Sequence, residues 1–376
     1  MSCLLTDVLA APRRVIELDH EQFGQLIRQA RSTALLGTLC LLLEQEHLLE
    51  HIPPPVRRHF TSAGVVYSKQ RRDLAYEIKW LKKALAAANE QLVLLKGAAY
   101  LQAGLPVSLG RSLSDIDILV PLERVSVAEQ ALNDFGWESA KQDEYNERYY
   151  RKWMHEIPPM GHPKRGSTVD LHHTILPPTA KPKVNARLLF DELVEVQPQV
   201  FTLSPRDMVI HSATHLFHEG EFHHGLRDLW DLDRMLRDFP EKDPVFWTTL
   251  VPRAGELDLL DSLFHGLTYT QQVFDTPIPA AVMQQVGSWQ RRLRKPLMDF
   301  LFRRAFRPDQ PECRLPFTDL ALSLLYIRSH YLRMPLYLLL PHLARKAWMG
   351  RFGKAKEERT IDAPAKADKA AAREQS

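Results

Sequence analysis

The sequence predicts an α+β protein in which a small mixed sheet lies between an N-terminal and a C-terminal helical region. Apolar residues recur three and four positions apart over residues 15–91, which is the spacing of amphipathic helices. Short apolar and β-branched runs, typical of strands, follow over residues 91–176. The helical spacing then returns over residues 205–350. We therefore expect helices, then a sheet, then helices along the chain.

The first helical region contains two amphipathic runs. They are "FGQLIRQARSTALLGTLCLLLEQ" and "LAYEIKWLKKALAAANE", and three prolines at 53–55 lie between them. Because proline does not fit the interior of a helix, these prolines mark a break. The sequence predicts an N-terminal helical region over residues 1–90.

Strand and helix signals alternate at the start of the sheet region. "QLVLLKG" is a continuous apolar run that ends at Gly97, which indicates a buried strand leading into a turn. "AAYLQAGL" then predicts a brief helix and "SDIDILVP" a second strand. "LERVSVAEQALNDFGW" predicts a further helix that stops at Gly136. The local order is therefore strand, helix, strand, helix.

Two more strands are predicted in the rest of the sheet region. "ERYYRKWMHEI" and "STVDLHHTI" are rich in aromatic and β-branched residues, and the Pro- and Gly-containing "PPMGHPKRG" lies between them. We expect this segment to connect two antiparallel strands. The sheet-containing core is assigned to residues 91–204.

The last part of the chain is predicted to form separate helices followed by a tail. Helical segments over residues 205–350 are expected to be divided by Pro240, Pro252, Pro277 and "RPDQPECRLP". Residues 351–376 mix charge with alanine and lack a large apolar face, so we expect a disordered tail. These two regions complete a four-part organisation of the chain.

Composition places the chain among ordinary globular proteins. Of 376 residues, 45% are hydrophobic and 25% are charged, and the net charge of +3 does not single out a class of partner. Cys3, Cys40 and Cys313 have no paired spacing, which argues against a disulfide framework or a zinc knuckle. The N-terminus lacks the basic start of a signal peptide. Together these features favour a reducing cytoplasm as the location.

The most apolar stretch is too short to span a membrane. Its charge-free run, residues 334–344, has 11 residues, whereas a spanning helix needs about 20. We expect a buried helix here. The alternative is a peripheral contact with a membrane surface through Arg345, Lys346 and Trp348.

The segment "GRSLSDIDILVP" carries two aspartates one residue apart in a strand-like run. Because successive side chains of a strand alternate faces, Asp115 and Asp117 point to one side, where two negative charges cost free energy unless a cation or a shifted pKa compensates them. The alternative is that Asp115 begins the strand as a turn residue and Asp117 faces solvent on an edge strand. A second such pair, Asp231 and Asp233, falls in a helical pattern, where residues two apart do not face each other.

Asp170 in "STVDLHHTI" is a third candidate carboxylate. If its strand lies beside that of Asp115 and Asp117, three carboxylates can hold one ion. Mg²⁺ is the natural ion, because it prefers hard oxygen ligands and typically joins carboxylates to substrate phosphates. Two such ions would polarise the attacking and leaving oxygens of a phosphoryl transfer.

Residues upstream of the aspartates suit phosphate binding. Lys96 and Gly97 lie where a buried strand ends and a helix starts, and the backbone N–H groups of a helix start attract phosphate. In chain order, "KG", "GRSLSDID" and "VDLH" resemble the motifs of the polymerase-β-like nucleotidyltransferase superfamily, specifically its bacterial branch of uncharacterised nucleotidyltransferases. The resemblance is tight over residues 91–176, and the N-terminal helices contribute nothing to it.

The resemblance implies a sheet of nucleotidyltransferase type and a Mg²⁺-dependent transfer of a nucleoside monophosphate from a nucleoside triphosphate (NTP) to an acceptor, with Mn²⁺ as an alternative ion. Asp115 and Asp117 would be metal ligands, and Asp170 the third carboxylate, which activates the acceptor hydroxyl through the metal. The implied nucleotide contacts are Lys96, Gly97, Arg111 and Ser114. Ala98 stands where the superfamily prefers Gly or Ser, so a hydroxyl contact is lost there.

The same residues have structural alternatives. Lys96 could be a strand-end lysine that reaches water, Gly97 a tight turn, and Arg111 the ion-pair partner of Asp115. The matching alternative function is a catalytically inactive protein that keeps the fold as a binding scaffold. The three retained carboxylates argue against it, because a scaffold needs none of them.

Nine of the 16 histidines lie between residues 155 and 224. His211, His215 and His218 have a spacing that can hold a metal on one helix face. A rival hypothesis is a metal-dependent hydrolase that uses them with Asp228 or Asp231. No His-Glu-x-x-His motif supports it, so we interpret these histidines as helix-packing or pocket-wall residues. The family resemblance implies that they wall the substrate cleft.

Other site motifs give no competing function. The sequence has no phosphate loop, no dinucleotide-binding glycine motif and no nucleophile elbow. Basic clusters such as "KQRRD" are interpreted as solvated helix faces rather than an RNA track. The acceptor stays open between a small molecule, a saccharide, a protein and RNA.

Overall fold

The computed structural model describes residues 3–139 and 150–335, and within them seven strands form one mixed sheet flanked by helices. The predicted α+β fold class is confirmed. The strands are β1 Leu92–Leu94, β2 Ile116–Leu119, β3 Glu138–Ser139, β4 Met160–Gly161, β5 Thr168–His172, β6 Val194–Gln197 and β7 Val200–Thr202. Their spatial order is β3-β4-β5-β2-β1-β7-β6.

The helices of the first region pack on one another, and the last of them packs on the sheet. They are α1 Leu4–Ala10, α2 His20–Ser32, α3 Leu36–Gln45 and α4 Pro54–Ala87. Helix α4 begins directly after the expected proline break, with proline in its first turn, where a missing N–H group costs no helical hydrogen bond. Its buried Leu74, Ile78, Leu81 and Leu85 repeat every three or four residues, and α4 contacts β1.

The centre of the sheet contains the two predicted aspartate strands as neighbours. Strand β2 pairs with β5 in parallel, so that Asp117 lies opposite Asp170, and pairs with β1 in antiparallel on its other side. Ile118 and Leu171 point to the opposite face and are fully buried. Strand β2 is therefore an interior strand of the sheet.

The hairpin before β5 differs from the prediction. Residues 150–153 are helical, so a strand through "ERYYRKWMHEI" is wrong there, and among the described residues of this segment only Glu156 joins the sheet, through an isolated bridge to His172. Strand β4 lies inside the segment expected to be a loop. Aromatic residues favour strands only where the surface they pack on is a sheet, which explains the misassignment. Residues 140–149 lie outside the described part.

Strands β6 and β7 form a further hairpin, which the sequence analysis did not assign. Strand β7 pairs with β1 in parallel, and β6 pairs with β7 in antiparallel. A short helix, α5 Lys96–Gln102, follows β1, and α6 Val125–Asp134 follows β2 and stops before Gly136, as expected.

The helices after the sheet are α7 Pro205–His218, α8 Gly225–Lys242, α9 Phe246–Glu256, α10 Leu260–Phe274, α11 Ala280–Val286, α12 Trp289–Ala305 and α13 Thr318–Arg333. Pro277 separates two helices, as predicted. Pro240 and Pro252 lie inside α8 and α9, so the breaks predicted there are wrong. Tertiary packing holds α9 together, because it contacts α7 and its Arg253 forms a buried ion pair with Asp207.

The last predicted features fall beyond the described residues. The tail and nearly all of the apolar run 334–344 lie in residues 336–376, of which the structure describes nothing. In the described part of the chain, helices of the length and apolarity needed to cross a bilayer do not occur.

Two glycines join the N-terminal helices to the loop before β2. Gly110 has a φ of +68°, and a Cβ built on it would lie 2.2 Å from the carbonyl oxygen of Gly37 in α3. A Cβ on Gly37 would in turn lie 2.4 Å from the carbonyl oxygen of Gly110. Because these backbones touch, α3 fixes the position of the loop that leads to Arg111 and Asp115.

Candidate active site

Asp117 is buried in the middle of the sheet and has two polar partners. Its Oδ1 accepts hydrogen bonds from Nζ of Lys96 at 2.8 Å and from Nε2 of His172 at 2.9 Å. Burial by itself would raise the pKa of Asp117, but Lys96 and His172 outweigh burial and hold the pKa well below its usual value. The alternative of a solvent-facing aspartate on an edge strand is therefore wrong.

Asp170 lies beside Asp117 but lacks a comparable partner. Its Oδ1 is buried and accepts no hydrogen bond from any described residue. Burial, together with the negative charges of Glu156, Asp117 and Asp115, raises the pKa of Asp170 to about 7. A proton or a cation would relieve this charge repulsion.

Asp115 immediately precedes β2, two residues before Asp117, and is half-buried. Its Oδ1 accepts a hydrogen bond from the hydroxyl of Ser114 at 2.9 Å. The loop in front of it is held by Gln70 of α4, whose side-chain amide donates to the carbonyl oxygen of Leu113 at 3.1 Å. The first helical region thus positions this carboxylate from outside the sheet.

Arg111 is fixed by the helices after the sheet. Its Nε lies 2.7 Å from Oδ2 of Asp231, and its Nη2 lies 4.0 Å from Oδ1 of Asp228. The alternative in which Arg111 pairs with Asp115 is therefore not the arrangement found. Asp233, the other member of the helical Asp-x-Asp, faces away from the site and accepts a hydrogen bond from Thr276 at 2.7 Å, as residues two apart on a helix should.

The turn after β1 is shaped by Lys96 rather than by Gly97. Lys96 has a φ of +46°, in the left-handed region that favours glycine. Gly97 is needed for space instead, because a Cβ on it would lie 2.2 Å from Nη1 of Arg111 and 2.5 Å from Cδ2 of Leu113. Ala98 is buried beside it. The structural alternative for Lys96, a strand-end lysine that reaches water, does not apply, because Lys96 is paired with Asp117.

Two cavities meet at Asp115. The first, of about 330 Å³, is lined by Lys96, Gly97, Arg111, Arg227 and other polar residues. The second, of about 430 Å³, lies between α4 and the β4–β5 hairpin, with Tyr76 and Thr168 on its walls. Asp115 and its neighbour Ser114 line both cavities. The carboxylate is therefore accessible from two sides.

The histidines of α7 do not form the metal site that the rival hydrolase hypothesis requires. His211 is buried, and burial, reinforced by Lys96 and His172, lowers its pKa to about 3. His218 is also buried, and its Nδ1 donates to the carbonyl oxygen of Thr214 at 3.1 Å within the helix. His215 lines the first cavity. These contacts agree with helix packing and with a wall of the cleft.

A different set of ligand atoms does come together, which the sequence analysis missed. Nε2 of His172 lies 3.3 Å from Oε2 of Glu156, and Nε2 of His155 lies 3.7 Å from the same oxygen. The sequence signal for this group was the pair His155 and Glu156 in "KWMHEI". Their proximity to His172 in "VDLH" could not be read from the sequence, because it depends on the bridge between Glu156 and His172. Burial, followed by the charge of His172, lowers the pKa of His155 well below its usual value.

The residues present fit a divalent cation such as Mg²⁺. Asp117 and Asp170 are register partners, Asp115 lies on the same side of the strand, and carboxylate oxygens are the hard ligands that Mg²⁺ prefers. The unpartnered Oδ1 of Asp170 provides a free acceptor for such an ion.

A family model described as "Uncharacterised nucleotidyltransferase" matches residues 19–275. The chain belongs to this nucleotidyltransferase family. The match covers more than half of the 376 residues and includes α2, α3 and α4. The expectation that the N-terminal helices have no part in the resemblance is therefore wrong, and the contacts of Gly37 and Gln70 with the site loop give the physical reason. No curated protein and no solved structure matches this nucleotidyltransferase.

Proposed function

We propose that this nucleotidyltransferase moves a nucleoside monophosphate from an NTP to a hydroxyl group of an acceptor, with Mg²⁺ or Mn²⁺ bound by Asp115, Asp117 and Asp170. The observation that carries the proposal is the register of β2 and β5, which sets Asp117 against Asp170 next to a cavity containing Lys96 and Arg111. Carboxylates beside fixed cations are what a phosphoryl transfer requires.

The first cavity is the proposed site of the triphosphate. Lys96, Arg111 and Arg227 supply positive charge to its walls. Arg227 forms an ion pair with Asp228 at 2.7 Å, just as Arg111 does with Asp231, so that each guanidinium group is held in place before the substrate arrives. The missing side chain at Gly97 lets the Arg111 guanidinium group approach the turn after β1.

The carboxylates of β2 and β5 have different proposed roles. A bound divalent ion would supply charge stabilisation at the transferring phosphoryl group and at the pyrophosphate that leaves as its bond to that group breaks. Asp117, whose pKa is held well below its usual value, would bind the cation as an ionised carboxylate. Asp170 would share the cation and accept, on its second oxygen, the proton that the acceptor hydroxyl loses as it attacks the phosphorus atom.

The second cavity is the proposed route of the acceptor. It shares Asp115 with the first cavity but is separated from Lys96 and Arg111. Its charged groups are already paired, Lys69 with Asp73 at 2.5 Å and Arg165 with Glu77 at 2.7 Å. An acceptor that enters here reaches Asp115 through a different cavity from the triphosphate, so the two substrates do not compete for one entrance. The acceptor is an unidentified small molecule, saccharide, protein or RNA.

The experiment is an incubation of the protein with each α-³²P-labelled NTP, Mg²⁺ or Mn²⁺, and a cell extract as the source of acceptors. We expect label to move to one class of molecule, separated by digestion with protease or ribonuclease and by chromatography. Asp115→Asn is the test variant. The matched control is Asp319→Asn in α13, where the aspartate side chain is 82% exposed. Transfer by Asp115→Asn at the parent rate would refute the proposal, and NTP binding without transfer would support an inactive binding protein.

A further inference from the structure

Three side chains next to the carboxylates form a separate group of possible metal ligands. Nε2 of His155, Nε2 of His172 and an oxygen of Glu156 lie within 4.8 Å of one another, and this is the one such His, Cys, Asp or Glu group among the described residues. It is made of different histidines from those of α7. Two ligands of one tetrahedral ion at the usual bond lengths are about 3.4 Å apart. The Glu156 oxygen is 3.3 Å from His172 and 3.7 Å from His155, which fits that spacing.

The backbone holds these three residues in a fixed arrangement. Glu156 forms a bridge with His172, the N–H group of His173 donates to the carbonyl oxygen of His155 at 3.0 Å, and the N–H group of Ile157 donates to that of Leu171 at 3.1 Å. The segment that carries His155 and Glu156 is thus paired with the end of β5. A site on such a rigid ladder needs little rearrangement to bind an ion.

The Nδ1 atoms of both imidazoles have no described protein partner, whereas Nε2 of His172 contacts Oδ1 of Asp117 at 2.9 Å, a contact that a bound ion would replace. His172 is 1% exposed, and its Nδ1 and that of His155 are buried without a hydrogen bond to any residue the structure describes. The ring centroids of the two histidines are 5.2 Å apart, with a tilt of 41°.

We propose that His155, Glu156 and His172 bind a divalent transition-metal ion, such as Zn²⁺, at a position distinct from the three-aspartate Mg²⁺ site. Imidazole ligands suit Zn²⁺, whereas Mg²⁺ prefers oxygen ligands alone, and Mn²⁺ serves below as the paramagnetic probe of the site. Oδ1 of Asp117 lies 2.9 Å from Nε2 of His172, so this carboxylate borders both positions. The protein would then hold a nitrogen-liganded metal and an oxygen-liganded one side by side.

The test uses the metal alone, with no nucleotide. The full-length protein, stripped with a chelator, is titrated with MnCl₂, and electron spin echo envelope modulation is used to detect ¹⁴N coupled to the bound Mn²⁺. We expect nitrogen coupling in the parent and a loss of affinity of at least about tenfold in His155→Gln. His223→Gln, which also removes one imidazole but from a side chain 61% exposed, is the matched control and should bind as the parent does.

Two further results decide the proposal. Glu156→Gln should weaken binding as His155→Gln does, and thermal unfolding of each variant shows whether it is folded. Because Mn²⁺ in the three-aspartate site would have oxygen ligands alone, the absence of nitrogen coupling at every Mn²⁺ concentration of the titration, or unchanged affinity in both folded variants, overturns the proposal. Because no transfer is measured, this outcome is independent of the proposed nucleotidyl transfer. If the protein shows nitrogen coupling but transfers no nucleotide, the metal-site proposal is supported and only the proposed transfer reaction is refuted.

Discussion

Lys96 and Asp117 form an ion pair in which Nζ and Oδ1 are 2.8 Å apart and the two side chains are 21% and 6% exposed. The pair joins the turn after β1 to the centre of β2. Both charges have lost most of their water, so removal of either one leaves the other buried and unpaired. The pair is thus a source of stability as well as part of the candidate site.

Asp117→Asn is expected to destabilise the protein by about 3 kcal/mol, because the Lys96 ammonium group loses its buried partner. Lys96→Met combined with Asp117→Asn should recover much of this loss while transfer stays absent. Urea unfolding followed by circular dichroism measures the stability. A double variant as unstable as the single one would show that the lost charge pair is not the cause.

Asp115→Asn is expected to lower transfer by about 10²-fold or more with little effect on stability. The carboxylate is half-buried and its described hydrogen-bond contact is with Ser114, so its loss leaves no buried charge behind. Unfolding midpoints and initial rates of transfer measured on one preparation separate the two effects. A variant with both a lowered unfolding midpoint and a slow rate of transfer would instead indicate a structural role for Asp115.

Gly97→Ala is expected to displace the Arg111 guanidinium group, because the new methyl group would lie 2.2 Å from Nη1. Crowding of this kind costs about 1–3 kcal/mol, and we expect NTP affinity to fall about tenfold. Gly161→Ala is the matched control, since a Cβ there meets no atom within 4 Å. Equilibrium dialysis with a labelled NTP measures the affinity of both variants. Equal affinity in the two variants would contradict the role of Gly97.

Gly37→Ala is expected to reduce stability by about 1–3 kcal/mol and to slow transfer, although residue 37 lies in α3, outside the sheet. Its Cβ would lie 2.4 Å from the carbonyl oxygen of Gly110 and would push the loop that carries Arg111 and Asp115. Gly24→Ala in α2 meets only the end of Arg28 at 3.4 Å and should be neutral or stabilising by about 0.5–1 kcal/mol. If Gly37→Ala loses stability but keeps the parent rate of transfer, the claim that α3 positions the site loop is contradicted.

Mg²⁺ affinity is expected to depend on pH through Asp170. Its pKa, raised to about 7, means that below this pH the ion must displace a proton, whereas above it the carboxylate is already ionised. The dissociation constant should therefore rise about tenfold for each pH unit below 7 and level off above it. Calorimetry in buffers of different ionisation enthalpy measures the released proton. Asp170→Asn should remove this dependence, and a parent affinity that is flat between about pH 5 and 8 would contradict the assignment.

The features that depend on nearest neighbours were predictable from the sequence. The alternation of side chains along β2 places Asp115 and Asp117 on one side, and the helical spacing around Asp231 and Asp233 separates those two residues. Prolines at 53–55 marked the start of α4 correctly because proline is tolerated in a first turn. Pro252 failed as a marker, since packing against α7 outweighs its local cost.

The features that depend on contacts across the chain were not predictable. Arg111 and Asp231 are 120 positions apart, and no local pattern assigns one to the other. His155 and Glu156 approach His172 only through a bridge that interrupts an otherwise helical and irregular segment. The β6–β7 hairpin likewise gains its place from its pairing with β1. Each of these required the order of strands in the sheet.

The backbone of Lys96, with its φ of +46°, carries a conformation that most side chains adopt only at a cost of about 1–3 kcal/mol. Glycine at this position would relieve that cost and would also delete the ammonium group. It would also leave Asp117 buried without its ammonium partner, which costs at least as much as the strain that is relieved. Heat resistance alone would therefore select against glycine at position 96, because the strained backbone is what places the ammonium group against β2.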